Sequence, residues 1–536
     1  MNVETAARKH ALKNAFDYGE ARIGKVIGKV IGECPDAAKD LKAAMPAIKR
    51  AVEEVNALPR DAIEEELSAY EFEEKKEREG LPPIDLETAN TRVAPNPSGV
   101  LHVGHARAII LNDEYARQTN GKFFLRLEDT DPKTKKPLPD AYDRIPADLD
   151  WLGCEVADVV IQSDRLQTYY DYAEQLIEAG NAYVCDCPIE VMREKRAKGE
   201  ACACRDAPGQ MTRWKKMFDE YPEGGAILRV KTSLDHPNSS VRDWPAFRIV
   251  SGDHPRHPET RVWPLYNFAC PIDDHEYGVN LVIRGKEHEL NAVKQRFVYE
   301  YFNWVEPQFL EYGLIKVPGL MAHKSEILKG IREGRFTGWD DVRLPTLAAL
   351  RRRGISPKAI RKYIVSLGVN RSDSTLDWKK LFSMNKEERD AATRRLFFAA
   401  DPVTIRVEKA PEKAVLKNHP KNDLGERELA VQNGEVMVSR ADFDLLKGRK
   451  VRLKGLCNVV LEKKCVNEGD GVERGVPVIH WVSGGVKARV LKPDGSIVEG
   501  VAEPAAEKLG VGDFVQFERF GYCRLDSKNE FWFAHA

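Results

Sequence analysis

The spacing of apolar positions changes character along the chain. Over residues 1 to about 85, apolar side chains recur at helical intervals among Ala, Glu, Lys and Leu, as in Ala11-Leu12-Lys13-Asn14-Ala15-Phe16 and Ala51-Val52-Glu53-Glu54-Val55. This pattern predicts a helical appendage whose charges form a solvated face. The charged run Glu71 to Glu79, followed by Pro82-Pro83, marks its end. The stretch beginning Thr91-Arg92-Val93 then predicts a short strand, a loop stiffened by Pro95 and Pro97, and a helix from about Gly104 to Thr119 with His102 and His105 at its start. Asn120-Gly121 turns the chain into a second strand, Lys122 to Glu128. Strand, helix, strand implies a parallel sheet, and Asp129, Thr130 and Asp131 fall at the edge where open α/β sheets bind ligands. Strand signals return at Ala226-Ile227-Leu228-Arg229-Val230 and Phe247-Arg248-Ile249-Val250, and again in the β-branched run before Arg284. Beyond about Asp401, short apolar runs separated by turn residues, such as Lys450-Val451-Arg452-Leu453 and Phe514-Val515-Gln516-Phe517, predict β-barrels.

Composition narrows the class. The chain has 536 residues, 42% hydrophobic and 31% charged, enough for three or four domains around at least one large core. A formal net charge of −1 advertises no nucleic-acid partner, so any RNA surface must come from local basic patches. No apolar stretch approaches a membrane span and the N-terminus has no signal-peptide core, so the expected location is cytoplasmic, with no membrane partner. In that setting the ten cysteines suit free thiols or metal ligands better than a disulfide framework.

Four groups of residues carry candidate chemistry. His102 and His105, three apart at a helix start, combine imidazole donors with the positive end of the helix dipole, which suits a polyphosphate, and Gly104 between them lets a flat base approach the backbone. HxGH alone is as consistent with an ordinary strand-to-helix turn. Glu128 at a strand end can meet an ammonium, although a carboxylate-rich turn that merely stops the strand explains LEDTDP as well. Cys185, Cys187, Cys202 and Cys204 form two CxC pairs around a short helix and can place four thiolates about one structural Zn²⁺, with free cytosolic thiols as the alternative. Arg284, after its strand, can make a bidentate contact with a carboxylate. Asp273, Asp274, His275 and His288 are better explained by capping and pocket hydrogen bonds than by a metal. The basic residues Arg229, Lys231, Arg242, Arg248 and Arg351-Arg352-Arg353 can follow phosphates or form solvated faces.

Around the histidines, RVAPNPSGVLHVGHARAIILN resembles the signature of class I aminoacyl-tRNA synthetases, within which the chain resembles archaeal-type glutamyl-tRNA synthetases. Ala94-Pro95 stands where glutaminyl and eukaryotic-type glutamyl enzymes tend to carry Pro-Pro. Met321-Ala322-His323-Lys324-Ser325 resembles the mobile KMSKS loop, keeping only its last two residues, and the segments Gly338 to Leu347, Leu350 to Ile355 and Gln516 to Asp526 resemble further family blocks. The resemblance implies a multidomain α/β protein of the following organisation: an N-terminal helical extension (1–85), a Rossmann-like parallel-sheet catalytic domain in two halves (86–182 and 263–335), an inserted acceptor-binding domain with the zinc site (183–262), a helical stem-contact region (336–400) and anticodon-binding β-barrels (401–536). It also implies ATP and L-glutamate as substrates, Mg²⁺ with the ATP, and tRNA for glutamate as partner, with tRNA for glutamine left open. By resemblance, His102, His105 and Lys324 are catalytic; His102, Gly104, His105, Lys324 and Ser325 bind ATP; and Arg92, Ala94, Asn96, Glu128, Tyr266 and Arg284 bind the amino acid. Which arginine meets which carboxylate stays open. A glutaminyl ligase shares this architecture, and a catalytically silent RNA-binding protein is the rival from another class.

Overall fold

In the computed structural model, the described residues are 2–38, 40–70, 81–318 and 324–536, and the chain divides into two compact units, residues 1–78 and 79–536. The first unit contains α1 (Val3–Tyr18), α2 (Ile23–Glu33), α3 (Leu41–Asn56) and α4 (Arg60–Leu67). Asn2 caps α1 by accepting from the Thr5 N–H, and Gly19, at φ 82°, ends it in the left-handed conformation that glycine adopts without strain. The buried face of α1 is mostly alanine, which lets α3 pack closely with Ile48, Val52 and Val55. Arg8 joins α1 to α3 and α4 by pairing with Glu54 and Glu66.

The second unit is built on parallel strands. β1 (Thr91–Val93), β2 (Phe123–Leu127) and β3 (Val156–Ile161) run in sheet order β1-β2-β3, with α5 (Ala106–Gln118) crossing between the first two. β2 is buried at every position, as a central parallel strand covered on both faces should be, and its FFLRL sequence follows from that except for Arg126. An antiparallel four-stranded sheet follows, formed by β4 (Ala182–Cys185), β5 (Ile227–Val230), β6 (Pro245–Ile249) and β7 (Val262–Pro264). The chain then returns with parallel β8 (Leu281–Gly285) and β9 (Gln308–Tyr312). Asn90 joins the two parallel sections: its carbonyl accepts from the Asn280 and Leu281 N–H groups, and its own N–H donates to the Asn280 side chain.

α5 begins at Ala106, two residues after the position its periodicity predicts. The preceding loop is held by backbone bonds to another segment, Val103 N–H to Pro345 O and Leu347 N–H to Leu101 O. His102 therefore lies in a bridge with Thr346, and His105 is the N-cap residue, so both histidines precede the helix rather than sharing its first turn.

The basic residues are mostly spent on the fold itself. Arg229 is buried against Tyr183 and donates to Asp243 O, Arg242 donates to the carbonyls of His236, Arg196 and Ala197, and Lys231 and Arg248 pair with Asp206 and Asp131. Arg352 grips Asp526 through two 2.7 Å bonds and lies over Trp532, and Arg353 donates to Phe533 O and Ala534 O. Two of the three clustered arginines thus clamp the helix Leu347–Arg353 to the C-terminal strands.

The C-terminal region contains a seven-stranded ladder whose two edge strands are Arg394–Leu396 and Phe398–Ala400. Those edges are one continuous segment interrupted only at Phe397, so the ladder closes on itself as a barrel. Leu396 and Phe398 point into this barrel while Phe397 and Ala399 enter the neighbouring core around Trp481, so one stretch of chain serves both.

Asp148, on the helix Ala141–Trp151, is buried, and desolvation pushes its carboxyl up to about 6 against the pull of Arg351 and Arg144. A carboxyl with a raised folded pKa contributes fully below its unfolded value and costs stability as pH climbs to 6. Asp148→Asn is therefore expected to stabilise the protein by about 2–3 kcal/mol at pH 8 and by little near pH 4. Thermal melts of both proteins at the two pH values check this, and an equal gain at both would contradict it.

Candidate active site

At the C-terminal ends of β1, β2 and β8 lies a cavity of about 500 Å³, within the range of small-molecule pockets. Its wall includes Arg92, Ala94, Asn96, His102, Gly104, His105, Glu128, Tyr266 and Arg284, so nine of the positions singled out in the sequence converge there from segments up to 192 residues apart. Lys135, Glu287, His288 and Tyr312 also line it. Met321, Ala322 and His323 lie outside the described residues. Lys324 opens the helix Lys324–Arg332, and the side chains of Lys324 and Ser325 are outside the description.

The two histidines meet with ring centroids 3.8 Å apart. Nδ1 of His102 accepts from the Gly104 N–H and Nδ1 of His105 from the His102 N–H, both at 3.1 Å, which places the neutral-ring proton on Nε2. The Nε2–H of each ring is the kind of donor that a phosphate or ribose oxygen accepts from. A Cβ at Gly104 would sit 2.8 Å from the His102 ring, so the glycine is needed for this internal packing, whatever ligand approaches it. Asn96 lines the cavity with its amide already engaged, donating to Glu128 O and accepting from Ser98 N–H, which pins the loop onto β2.

Two receptors of opposite charge face the cavity. Arg284 is buried over the Phe309 ring and gives Nη1 to Gln295 at 3.0 Å, while its Nε and Nη2 have no hydrogen-bond partner among the described residues. Two neighbouring guanidinium donors, buried and unpartnered among the described residues, match a carboxylate. Opposite in charge, Glu128 has Oε1 engaged by Arg126 at 3.2 Å and by the Cys270 thiol at 3.1 Å. Tyr266 stands 5.6 Å from His288, ring to ring, and burial together with Arg284 lowers the His288 pKa, which favours its neutral form.

A charged network that sequence reasoning missed lies behind the wall. Burial alone would raise the Asp274 carboxyl, but Arg92 and Arg126 hold it below the ordinary carboxylate value. Asp273 is raised by burial despite Arg126 and Arg165, and it accepts from Gln162 and Tyr169. Among the described residues neither aspartate caps a backbone; both are counter-ions to buried arginines. The available signal was Arg126 itself, a charge inside an otherwise apolar strand. His275 stacks on Trp304 at 3.9 Å. Among the described residues, the one group arranged as metal ligands is the cysteine cluster.

The four cysteine Sγ atoms all lie within 4.8 Å of one another, with Cys185–Cys202 at 3.8 Å and Cys187–Cys204 at 3.5 Å. Zn–S bonds of about 2.3 Å in a tetrahedron require S···S separations of about 3.8 Å, so the donor set fits Zn²⁺. Among the described residues no disulfide joins any of the cysteines.

The catalytic-domain model of the class I (E and Q) tRNA synthetases matches residues 88–390, and two anticodon-binding-domain models of the same class match 393–478 and 478–526. The chain belongs to the class I glutamyl and glutaminyl tRNA synthetases. Among curated members of this synthetase family, the glutamate–tRNA ligase of Thermococcus kodakarensis is 46% identical, aligned over 97% of this chain and 96% of its own. The corresponding ligase of Pyrococcus abyssi is 46% identical over 98% of both chains, and that of Methanocaldococcus jannaschii 43% identical over 97% of both. Among the described residues, no helix of this synthetase is long and apolar enough to cross a membrane.

Proposed function

We propose that the chain joins L-glutamate to tRNA for glutamate, first forming glutamyl-adenylate from ATP. The observation that carries this reading is Arg284, which lines the same cavity as Glu128 and whose buried Nε and Nη2 have no hydrogen-bond partner among the described residues. A glutamate side-chain carboxylate accepts from both donors, whereas the amide nitrogen of glutamine would turn a donor toward a cation. Glu128 then takes the substrate ammonium, with Arg92 and Tyr266 beside the bound amino acid. The Nε2–H groups of His102 and His105 donate to ATP, and Lys324 offsets charge on the departing pyrophosphate.

The α-carboxylate of glutamate attacks the α-phosphorus of ATP in line, releasing pyrophosphate; a terminal ribose hydroxyl of tRNA then takes the glutamyl group and releases AMP. The protein contributes alignment and charge stabilisation rather than a covalent intermediate. Mg²⁺ accompanies ATP and neutralises part of its phosphate charge. The four-cysteine cluster holds a structural Zn²⁺ in an inserted domain (183–262) that receives the tRNA acceptor end, and the barrels from 401 onward meet the anticodon. The neighbouring helices (336–400) flank the tRNA stem, and the setting is cytoplasmic.

Aminoacylation with ATP and Mg²⁺, crossing glutamate and glutamine against separate tRNA transcripts for each, tests the reading. Glutamate charging of its own tRNA is the expected result, and charging of both tRNAs would mark a non-discriminating ligase. Glutamine transfer alone, or tRNA binding without transfer, would overturn the proposal.

A further inference from the structure

We propose that Asp274 and Arg126 are a positioning pair that holds the two receptors Arg92 and Glu128 in register for the amino acid; the inference rests on the ligase reading above. Both residues are about 2% exposed, and neither lines the cavity. Arg92 gives Nε and Nη2 to the two Asp274 oxygens at 3.0 and 3.3 Å. Arg126 gives Nη1 to Asp274 Oδ1 at 2.6 Å and Nη2 to Glu128 Oε1 at 3.2 Å. Arg92, Asp274, Arg126 and Glu128 thus form a chain of alternating charge joining β1, the helix Tyr266–Glu276 and β2.

The chain locks one edge of each receptor, and among the described residues no hydrogen bond reaches Nη1 of Arg92 or Oε2 of Glu128, the edges assigned to substrate. Asp274 also decides where Arg126 spends its charge. Without that carboxylate, Arg126 keeps only the more distant Asp273, at 3.7 Å, beside Glu128, so it draws harder on the group needed by the substrate ammonium, and Arg92 loses the contact that fixes its plane. The damage falls on amino-acid binding, since the chain ends on the two receptors for the amino acid, Arg92 and Glu128.

The test compares wild type with Asp274→Asn, which keeps the side chain's size, and with Arg126→Lys, which keeps the buried cation. Steady-state tRNA charging gives KM for glutamate and for ATP separately. In both variants KM for glutamate is expected to rise at least about tenfold, and KM for ATP to stay within about twofold. A double variant Asp274→Asn/Arg126→Lys is expected to fall short of the product of the single effects, as coupled residues do. An unchanged KM for glutamate, or a parallel rise in both constants, overturns the proposal. If Asp274→Asn does not fold, Arg126→Lys decides by the same ratio. A wild type that fails to charge glutamate refutes the ligase reading itself, whereas an active wild type with indifferent variants refutes only the positioning pair.

Discussion

Arg284→Ala is expected to lower kcat/KM for glutamate by about three orders of magnitude in tRNA charging, with the protein folded and KM for ATP nearly unchanged. The size follows from what the substitution leaves behind. On the proposed reading, the Nε and Nη2 donors of this wall residue, buried and unpartnered among the described residues, would take the glutamate carboxylate, and a charge-assisted bidentate contact of this kind is worth about 3–5 kcal/mol. After truncation, the glutamate carboxylate must enter the same wall with no counter-ion and pay its full desolvation cost. The substitution also removes a buried charge with few internal commitments, a single bond to Gln295 and the face of Phe309, so the fold loses little. Arg284→Lys should recover only part of the activity, because an ammonium cannot present two parallel donors. Steady-state kinetics with glutamate varied at saturating ATP and tRNA reads the effect directly. A loss below tenfold would place the carboxylate elsewhere, Arg92 being the alternative cation in the wall.

The elements that local pattern specifies were legible in the sequence. Strands such as Lys450–Leu453 and Phe514–Phe517 coincide with their apolar runs, because hairpin strands are bounded by their own turn residues. Six positions at the first nucleotide motif, together with Glu128, Tyr266 and Arg284, were named through resemblance, and the structure gathers these nine about one cavity. What escaped depends on contacts between distant segments. Arg126 and Asp274 are 148 residues apart, and nothing local reveals that one answers the other. Arg352 looks like part of a phosphate-tracking cluster until Asp526 and Trp532 arrive from the C-terminal strands. The start of α5 shifted for the same reason: the loop that carries His102 bonds to residues 345–347, and that tertiary bond outweighs local helix preference. The first barrel takes in Arg394–Ala400, ahead of the change in periodicity at Asp401, because a strand shared between two cores is apolar on both faces and shows no alternation.

Metal removal is expected to have the second large effect. The segment between the two cysteine pairs is dominated by the helix Ile189–Lys198, which has no buried residue, so apolar packing does little to hold it. The small cluster at its base consists of the four cysteines with Tyr183 and Ile227. A bound Zn²⁺ would replace the missing core, and structural sites of this kind contribute about 10–16 kcal/mol of apparent binding free energy near pH 7. One zinc per chain is therefore expected by elemental analysis, and Cys202→Ser should lower both that stoichiometry and the melting temperature. The thiols must ionise to bind, so acidification releases the metal and destabilises the segment, and raising the pH restores it. Protease cleavage within 186–204 after chelation gives a readout independent of charging activity. A metal-free protein that melts and resists proteolysis like the untreated one would return these cysteines to the status of packed free thiols.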